Sequence, residues 1–365
     1  MRSAWGELLM TTFNAIHQTG RQETSSYNKT HFDEQTDLFC KEALSDFKQV
    51  TRQYALFHIT FFSIGILELA AFVLFFSFFT KTTLFAFSLA GIFLSLFTYF
   101  VLLFYFQAKK PQQLLNVRRE LIEATQKMLP FSPGSAEIYL ATASSLQKML
   151  TTLHRQEYSY YSLPASFETL SPLMQKFSVW THWKDLHQMK ELLLLMIIKQ
   201  RIELIKLQPT DLEAHARLAD AYLALSRLHM DPRKLHPHEE HLWVSPEYTA
   251  PEMLEKFKKA ALRAVEEYKI LSAYAPGDPW VHAQLAGIYC SLDLPLEEIQ
   301  EYETILKTSS PDSQLLLRLG TLYFEHGASA QALRLYEILK EHGDPKAEEL
   351  IAKYGSALTD EYSEF

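Results

Sequence analysis

The residues best suited to chemistry form one short, histidine-rich cluster. His236, His238 and His241 stand with Glu239 and Glu240 in a proline-flanked loop. Histidine and carboxylate side chains bind zinc when their spacing lets them converge, as in HExxH on a helix. Here the spacing is HEEH, which is one residue short. We therefore favour a solvated polar loop over a metal site and expect no metal.

No catalytic or nucleotide-binding motif accompanies this cluster. The chain has 11 glycines in 365 residues, and they form no GxGxxG, no GKS or GKT loop and no GxSxG elbow. The sequence therefore predicts a protein that is not an enzyme, with no catalytic residue and no cofactor.

One carboxylate stands in an unusual place, because Glu68 lies in the middle of a long apolar run. An ionisable residue inside a membrane is costly and often functional. A chain that folds back near residues 81–82 brings Ser95 to the same depth. Small and weakly polar residues recur around it at helical spacing: Ser88, Gly91, Ser95 and Thr98. We expect Glu68 to be protonated or hydrogen-bonded against this stripe and to fix packing or oligomerisation, while a proton or ion site is the alternative.

The apolar run is part of a pair that defines the class of protein. Ala55–Phe79 and Thr83–Phe106 span 25 and 24 residues and are separated only by Thr80–Thr82. At about 1.5 Å per residue each exceeds the roughly 30 Å hydrocarbon core of a bilayer. Both runs lack the polar face of a soluble core helix. The sequence predicts a two-helix transmembrane hairpin.

Charge indicates how the hairpin is oriented. Basic residues stand before the first span and after the second, where Lys109 and Lys110 follow it directly, whereas the turn contains only Lys81. The positive-inside bias then places both termini in the cytoplasm, as a two-pass integral membrane protein. The two cysteines, Cys40 and Cys290, form no paired framework, which fits a reducing compartment.

The net charge of -8 argues against a nucleic-acid partner. Residues 131–365 carry 23 Lys and Arg against 33 Asp and Glu, so the largest segment has no basic excess. The expected partners are the lipid bilayer and other proteins.

The remaining chain divides by composition and periodicity into an all-α architecture. Residues 1–32 are expected to be flexible, 33–54 to form a juxtamembrane amphipathic helix, and 107–130 a connecting helix that starts near Pro111. Residues 131–365 show helix after helix. Two long insertions, 155–182 and 231–250, interrupt this pattern, and their role stays open.

The C-terminal third repeats itself with a period of 34 residues. Leu285, Ala286, Tyr289, Tyr302, Ile305 and Pro311 recur as Leu319, Gly320, Tyr323, Tyr336, Leu339 and Pro345. A period in this range is typical of a solenoid in which a small residue lets two helices approach and a large residue fills the next turn. The best repeats cover 211–276, 279–311 and 313–345.

This period and residue order resemble the tetratricopeptide repeat family, which implies a solenoid of about three to four helix pairs with long insertions. The sequence departs from the family where His215, His282 and Leu316 replace the usual Trp, and where Glu298 replaces a small residue. The resemblance implies a concave groove that binds partner segments. Carrying its positions over gives three sets: Glu213, Ala216, Asp220 and Leu223; Trp280, Ala283, Gly287 and Cys290; Gln314, Leu317, Thr321 and Phe324.

These features together predict a membrane-anchored adaptor or scaffold at the cytoplasmic face. Its groove is mostly apolar with an acidic end, so an apolar or amphipathic helical segment is the expected ligand. The hairpin layout is similar to the bilobed segment of inclusion-membrane proteins of intracellular bacteria, and the hairpin could also form a homo-oligomer. The alternative is a subunit of a membrane transport or secretion machine that uses Glu68.

Overall fold

The computed structural model describes residues 29–76, 84–160, 171–235, 243–309 and 312–353. Within these ranges the chain is helical apart from its turns, and no strand occurs. The all-α prediction is therefore confirmed for this part of the chain. The histidine-rich loop at 236–241 and the flexible N-terminus predicted for 1–32 lie wholly or mostly outside the described residues.

The chain forms two compact units. The first contains Met1–Leu207 and Arg227–Met253, and the second contains Gln208–Ser226 and Leu254–Phe365. The described residues between 131 and 207, which the sequence groups with the repeats, thus belong to the same unit as the hairpin helices.

Two long helices dominate the first unit: α1, Lys29–Leu74, and α2, Leu84–Met128. They pack against each other along the apolar runs. Each helix also continues without a break into a polar segment. The segment 33–54, which the sequence predicts as an amphipathic helix, is therefore the N-terminal part of α1. Pro111 lies inside α2 and does not start a new helix. Its missing N–H leaves the carbonyl of Gln107 without its usual helical donor, and Gln107 is exposed where water can replace that bond.

The surface of α1 changes character along its length. In the residues of α1 that precede Tyr54, one face is buried, and it includes Phe32, Cys40 and Phe47. Beyond Tyr54 no described residue of α1 is buried, although the segment is rich in Phe, Leu and Ile. The apolar side chains of α1 that follow Tyr54 therefore lie on the surface of the protein.

The first unit contains three further helices up to residue 207: α3, Ala136–Thr152, α4, Gln156–Ser159, and α5, Ser171–Leu207. Ser135 caps α3 by accepting a hydrogen bond from the backbone N–H of Ile138. Helix α5 begins 12 residues before the expected Trp183, so 171–182 is helix and not part of a loop insertion. Its buried side, including Val179, Trp183 and Leu186, explains this early start, because these residues pack at helical spacing.

The second insertion and the repeat region follow. Helix α6, Leu212–His229, leads to the short α7, Pro232–Leu235, and a 3₁₀ turn, Pro246–Thr249. Helix α8, Pro251–Tyr274, precedes two helix pairs: α9, Pro279–Leu292, with α10, Pro295–Thr308, and α11, Ser313–Glu325, with α12, Ser329–Glu341. A last helical segment covers residues 346–353.

The second unit is packed as the 34-residue pattern predicts. Ala219, Ala286 and Gly320 are buried on α6, α9 and α11. Asp278 caps α9 through the N–H of Trp280, with Pro279 in the first turn. Proline starts α10 in the same way at Pro295. Helices α9 and α10, and then α11 and α12, follow one another as contacting pairs.

Candidate functional site

The two apolar runs face each other through a regular seam. Along α1, Phe57 stacks on Tyr99 with ring centroids 5.6 Å apart, and Phe72 meets Phe85 at 5.8 Å. Residue numbers rise on α1 as those of their α2 partners fall, which is the register of an antiparallel hairpin. The predicted back-to-back pairing of 55–79 with 83–106 is therefore present over the described part of both runs.

Glu68 lies in this seam and has the partner expected for it. The hydroxyl of Ser95 donates a hydrogen bond to Oε1 of Glu68 at 2.6 Å. Both residues are only partly buried. Folding the chain back after the first run therefore places this carboxylate against a donor at its own depth.

The other members of the small stripe behave differently. Ser88, Gly91 and Thr98 are partly buried. The hydroxyl of Thr98 donates to the carbonyl of Leu94 in its own helix at 2.8 Å. A methyl group added at Gly91 would meet no atom within 4 Å, so this glycine is not required for close approach within the hairpin. Of the four, Ser95 is the one that the structure joins to Glu68.

The first two sets of groove residues are mostly accessible. Glu213 is exposed and pairs with Arg217 at 2.7 Å, while Ala216 and Leu223 are partly buried. Asp220 accepts a 2.7 Å hydrogen bond from the hydroxyl of Tyr268, which ties α6 to α8.

In the second set Trp280 packs edge-on against Tyr268, with centroids 5.9 Å apart. Ala283 and Cys290 are partly buried. Gly287 is exposed, and an added Cβ there meets no atom within 4 Å. The surface around Gly287 is therefore open.

The third set departs from the prediction. Leu317, Thr321 and Phe324 are 5%, 7% and 7% exposed and belong to the core, while Gln314 is partly buried. Thr321 is covered by the last helical segment, because Lys353 of that segment donates a hydrogen bond to the threonine hydroxyl at 3.3 Å. An open groove at these three positions is not what the structure has.

Two histidines that replace the family's Trp make matching contacts that sequence reasoning missed. His215 contacts the carboxylate of Glu267 through Nδ1 at 2.8 Å and the carbonyl of Pro209 through Nε2 at 3.1 Å. His282 repeats this with Glu301 at 2.5 Å and Pro276 at 3.0 Å. In both cases the two ring nitrogens therefore contact one carboxylate and one backbone carbonyl.

The histidine bridges had a detectable signal in the sequence. Each histidine stands six residues after a proline in the preceding turn, at the same repeat position. We name this arrangement the histidine bridge. It joins the start of the first helix of a pair to the second helix and to the turn before it.

Glu298 stands where the repeat pattern has a small residue, and its contacts could not be predicted from the sequence. It is 1% exposed, and its carboxylate accepts two hydrogen bonds from Arg318, at 2.8 Å from Nε and 2.9 Å from Nη2. Nη2 also lies 3.5 Å from the sulfur of Cys290. The carboxylate raises the pKa of Arg318 above its usual range. The residue that breaks the repeat pattern is thus paired across two helices.

The first unit also contains buried polar groups near the end of the hairpin. Lys110 forms an ion pair with Asp185, and burial raises the pKa of that carboxyl against the opposing effect of the lysine. Burial lowers the pKa of His182 to about 4, helped by Lys110 and Arg52. Burial raises the pKa of Cys40 to about 11, so this thiol stays protonated.

Among the described residues, no group of three or more His, Cys, Asp or Glu side chains could hold a metal ion. Two described helices, Phe32–Leu74 and Leu84–Met128, are long and apolar enough to cross a membrane, and their most apolar windows are not buried. No protein-family model matches the chain, and no curated protein is similar to it.

Proposed function

We propose that this protein is a membrane-anchored adaptor whose hairpin, 55–106, holds a helical repeat domain at the cytoplasmic face. The observation that supports the anchor most directly is the exposure of large apolar side chains such as Phe62, Leu67 and Phe97, which are 72%, 72% and 67% exposed. Leaving so much apolar area in water costs roughly 25 cal/mol per Å². A bilayer removes that cost.

The repeat domain supplies the proposed binding surface. The tetratricopeptide resemblance is supported by buried small residues at the expected places and by the open surface at Gly287. The first two sets of groove residues define this surface, and the third adds only Gln314. Exposed Glu213 gives one end an acidic character, which favours an amphipathic helix with a basic flank as ligand.

The binding surface is tested with a photo-crosslinking residue placed at Gly287 in the full-length protein. An added Cβ there meets no atom within 4 Å, so we expect the substituted protein to fold. The matched control is Gln300, which is exposed on α10. We expect defined helical segments of one partner set to crosslink from position 287 and not from 300. Equal labelling from both positions would remove the groove from the proposal.

A second candidate is supported by the Glu68–Ser95 hydrogen bond: a subunit of a membrane machine in which Glu68 handles a proton or ion. Two variants separate this from a packing role that fixes the hairpin or a homo-oligomer. Glu68→Gln keeps an acceptor for Ser95 but cannot titrate, whereas Glu68→Ala removes both properties.

For a packing role, insertion and oligomeric state in bilayers should persist in Glu68→Gln and change in Glu68→Ala. If Glu68 handles a proton or ion, both variants should lose the transport of that proton or ion across the bilayer. If both variants match the wild type in insertion and oligomeric state, and neither alters transport, Glu68 has neither role.

A further inference from the structure

Helix α5 carries an apolar stripe on the side opposite its buried face. Leu173, Phe177 and Trp180 are 63%, 36% and 73% exposed and are spaced by four and three residues, so they share one side of the helix. The rings of Phe177 and Trp180 lie 6.2 Å apart. The next position on the same side is Lys184, which is exposed. We name these four residues the α5 stripe.

The place of this stripe in the first unit follows from two contacts between α5 and α2. Asp185 pairs with Lys110, and the guanidinium of Arg118 donates to the carbonyl of Leu192 at 3.4 Å. Residue numbers therefore rise together on both helices, which run in the same direction. Because α2 leaves its apolar run just before Lys110, residues before Asp185 lie on the side toward that run.

A third contact holds the same end of α5 near α1. The ring of His182 stacks on Tyr160 at 3.8 Å, and the Tyr160 hydroxyl lies 2.5 Å from that of Thr51. Thr51 is four residues before the apolar run on α1. Both hairpin helices thus place the beginning of α5 where polar helix gives way to apolar helix.

We propose that the α5 stripe lies in the membrane interface, with Leu173, Phe177 and Trp180 in the boundary between headgroups and acyl chains and Lys184 at the lipid phosphates. This inference rests on the proposed membrane anchoring of the hairpin. Its physical reason is continuity, because the stripe begins where the exposed apolar surface of the hairpin ends. Tryptophan is enriched at this depth, where its amphipathic ring meets both headgroups and acyl chains.

Fluorescence quenching in vesicles tests the depth of Trp180. The full-length protein is reconstituted in vesicles of phosphatidylcholine and phosphatidylserine whose acyl chains carry bromine on either the upper or the lower carbons. We expect the upper-bromine lipids to quench Trp180 more strongly. Trp180→Phe should lose that part of the quenching, whereas the control Trp280→Phe, in the repeat domain, should keep it. Because Trp180 is exposed, its substitution leaves the core intact.

Charge reversal gives a second measurement. Lys184→Glu should reduce the upper-bromine quenching in vesicles that contain phosphatidylserine, and the control Lys199→Glu, exposed 15 residues further along α5, should not. Resistance of the protein to alkaline extraction reports on the hairpin separately. If the protein resists extraction while Trp180→Phe leaves the quenching unchanged, the α5 inference is overturned and the anchor stands.

Two further outcomes also overturn the inference. An altered oligomeric state in Trp180→Phe, without altered quenching, would identify the stripe as an interface between protein chains. Complete extraction of the wild type would remove the anchor and the α5 inference together.

Discussion

The pair of Glu298 and Arg318 allows a quantitative test of how the repeat domain is held together. Glu298 is almost fully buried, whereas the side chain of Arg318 remains 32% exposed. Removing one member of a buried ion pair costs about 3–5 kcal/mol, because the other charge stays buried without compensation. For Arg318→Met the stranded group is the buried carboxylate, so the large cost applies. The exposure of Arg318 places our expectation near the lower end, about 3 kcal/mol.

The reverse substitution should cost less. In Glu298→Ala the guanidinium can turn toward solvent, so we expect a loss of about 1–2 kcal/mol. The alanine also restores the small residue found 34 positions later as Ala332. The double variant then has no buried charge and should lie close to Glu298→Ala alone. The two substitutions are thus strongly non-additive, with a coupling of about 3 kcal/mol.

Hydrogen exchange of the full-length protein measures these changes locally. Peptides that cover Ser313–Glu325 report the opening of α11. A loss of about 3 kcal/mol corresponds to a roughly 150-fold larger opening constant. Additive effects of the two substitutions, or an Arg318→Met variant that exchanges at the wild-type rate, would refute the reasoning.

Three more perturbations have signs fixed by the structure. Gly320→Ala places a Cβ 2.7 Å from a methyl carbon of Leu350, so overpacking of about 1–3 kcal/mol outweighs the gain in helix propensity, and exchange in 346–353 should rise. His282→Leu removes a histidine bridge while keeping a residue that fits the same position as Leu316, and it should cost about 1.5–3 kcal/mol in thermal stability. In the folded protein the pKa of His182 is about 4, below the ordinary value of 6.5, so the unfolded chain binds the proton at a higher pH. The free energy of unfolding should therefore fall as the pH drops from 6.5 toward 4, by up to about 3 kcal/mol. In His182→Gln this fall should be smaller.

Matched variants control each of these measurements. Gly287→Ala lies in open space and should stabilise α9 by about 0.5–1 kcal/mol, opposite in sign to Gly320→Ala. His215→Leu should reproduce the loss in the first bridge. His342→Gln, which changes an exposed histidine, should leave the acid transition in place. The overpacking argument would be contradicted if Gly287→Ala were destabilised. The histidine-bridge argument would be contradicted if His215→Leu were as stable as the wild type. A shifted acid transition in His342→Gln would contradict the assignment of that transition to His182.

The sequence predicted those features that depend on local pattern. The two apolar runs and the shared depth of Glu68 and Ser95 follow from composition and chain geometry, and the structure contains both. Helix continuity was harder to predict. Pro111 normally breaks a helix, but its cost is reduced where the freed carbonyl meets water at the end of the apolar run.

Features that depend on tertiary partners were beyond the sequence. Glu298 looks like a defect until Arg318, 20 residues away, is seen beside it. Leu317, Thr321 and Phe324 look like groove residues because their spacing matches the family, yet their burial depends on where other residues pack. Spacing fixes which side of a helix a residue occupies. It does not fix what covers that side.

Contacts at the polar end of the hairpin determine how its apolar runs are joined to the other helices of the first unit. The hydroxyl of Tyr54 donates to Gln113 at 2.6 Å, and the ammonium of Lys110 lies 4.8 Å from the centre of the Tyr54 ring. Lys110 also pairs with buried Asp185, so one cation joins α1, α2 and α5. Since α1 and α2 themselves cross this level without a break, the hairpin and the first unit share a continuous helical frame. This frame holds α5 at a fixed level relative to the ends of the apolar runs, so the proposed anchor would position α5 in a way that a flexible tether could not.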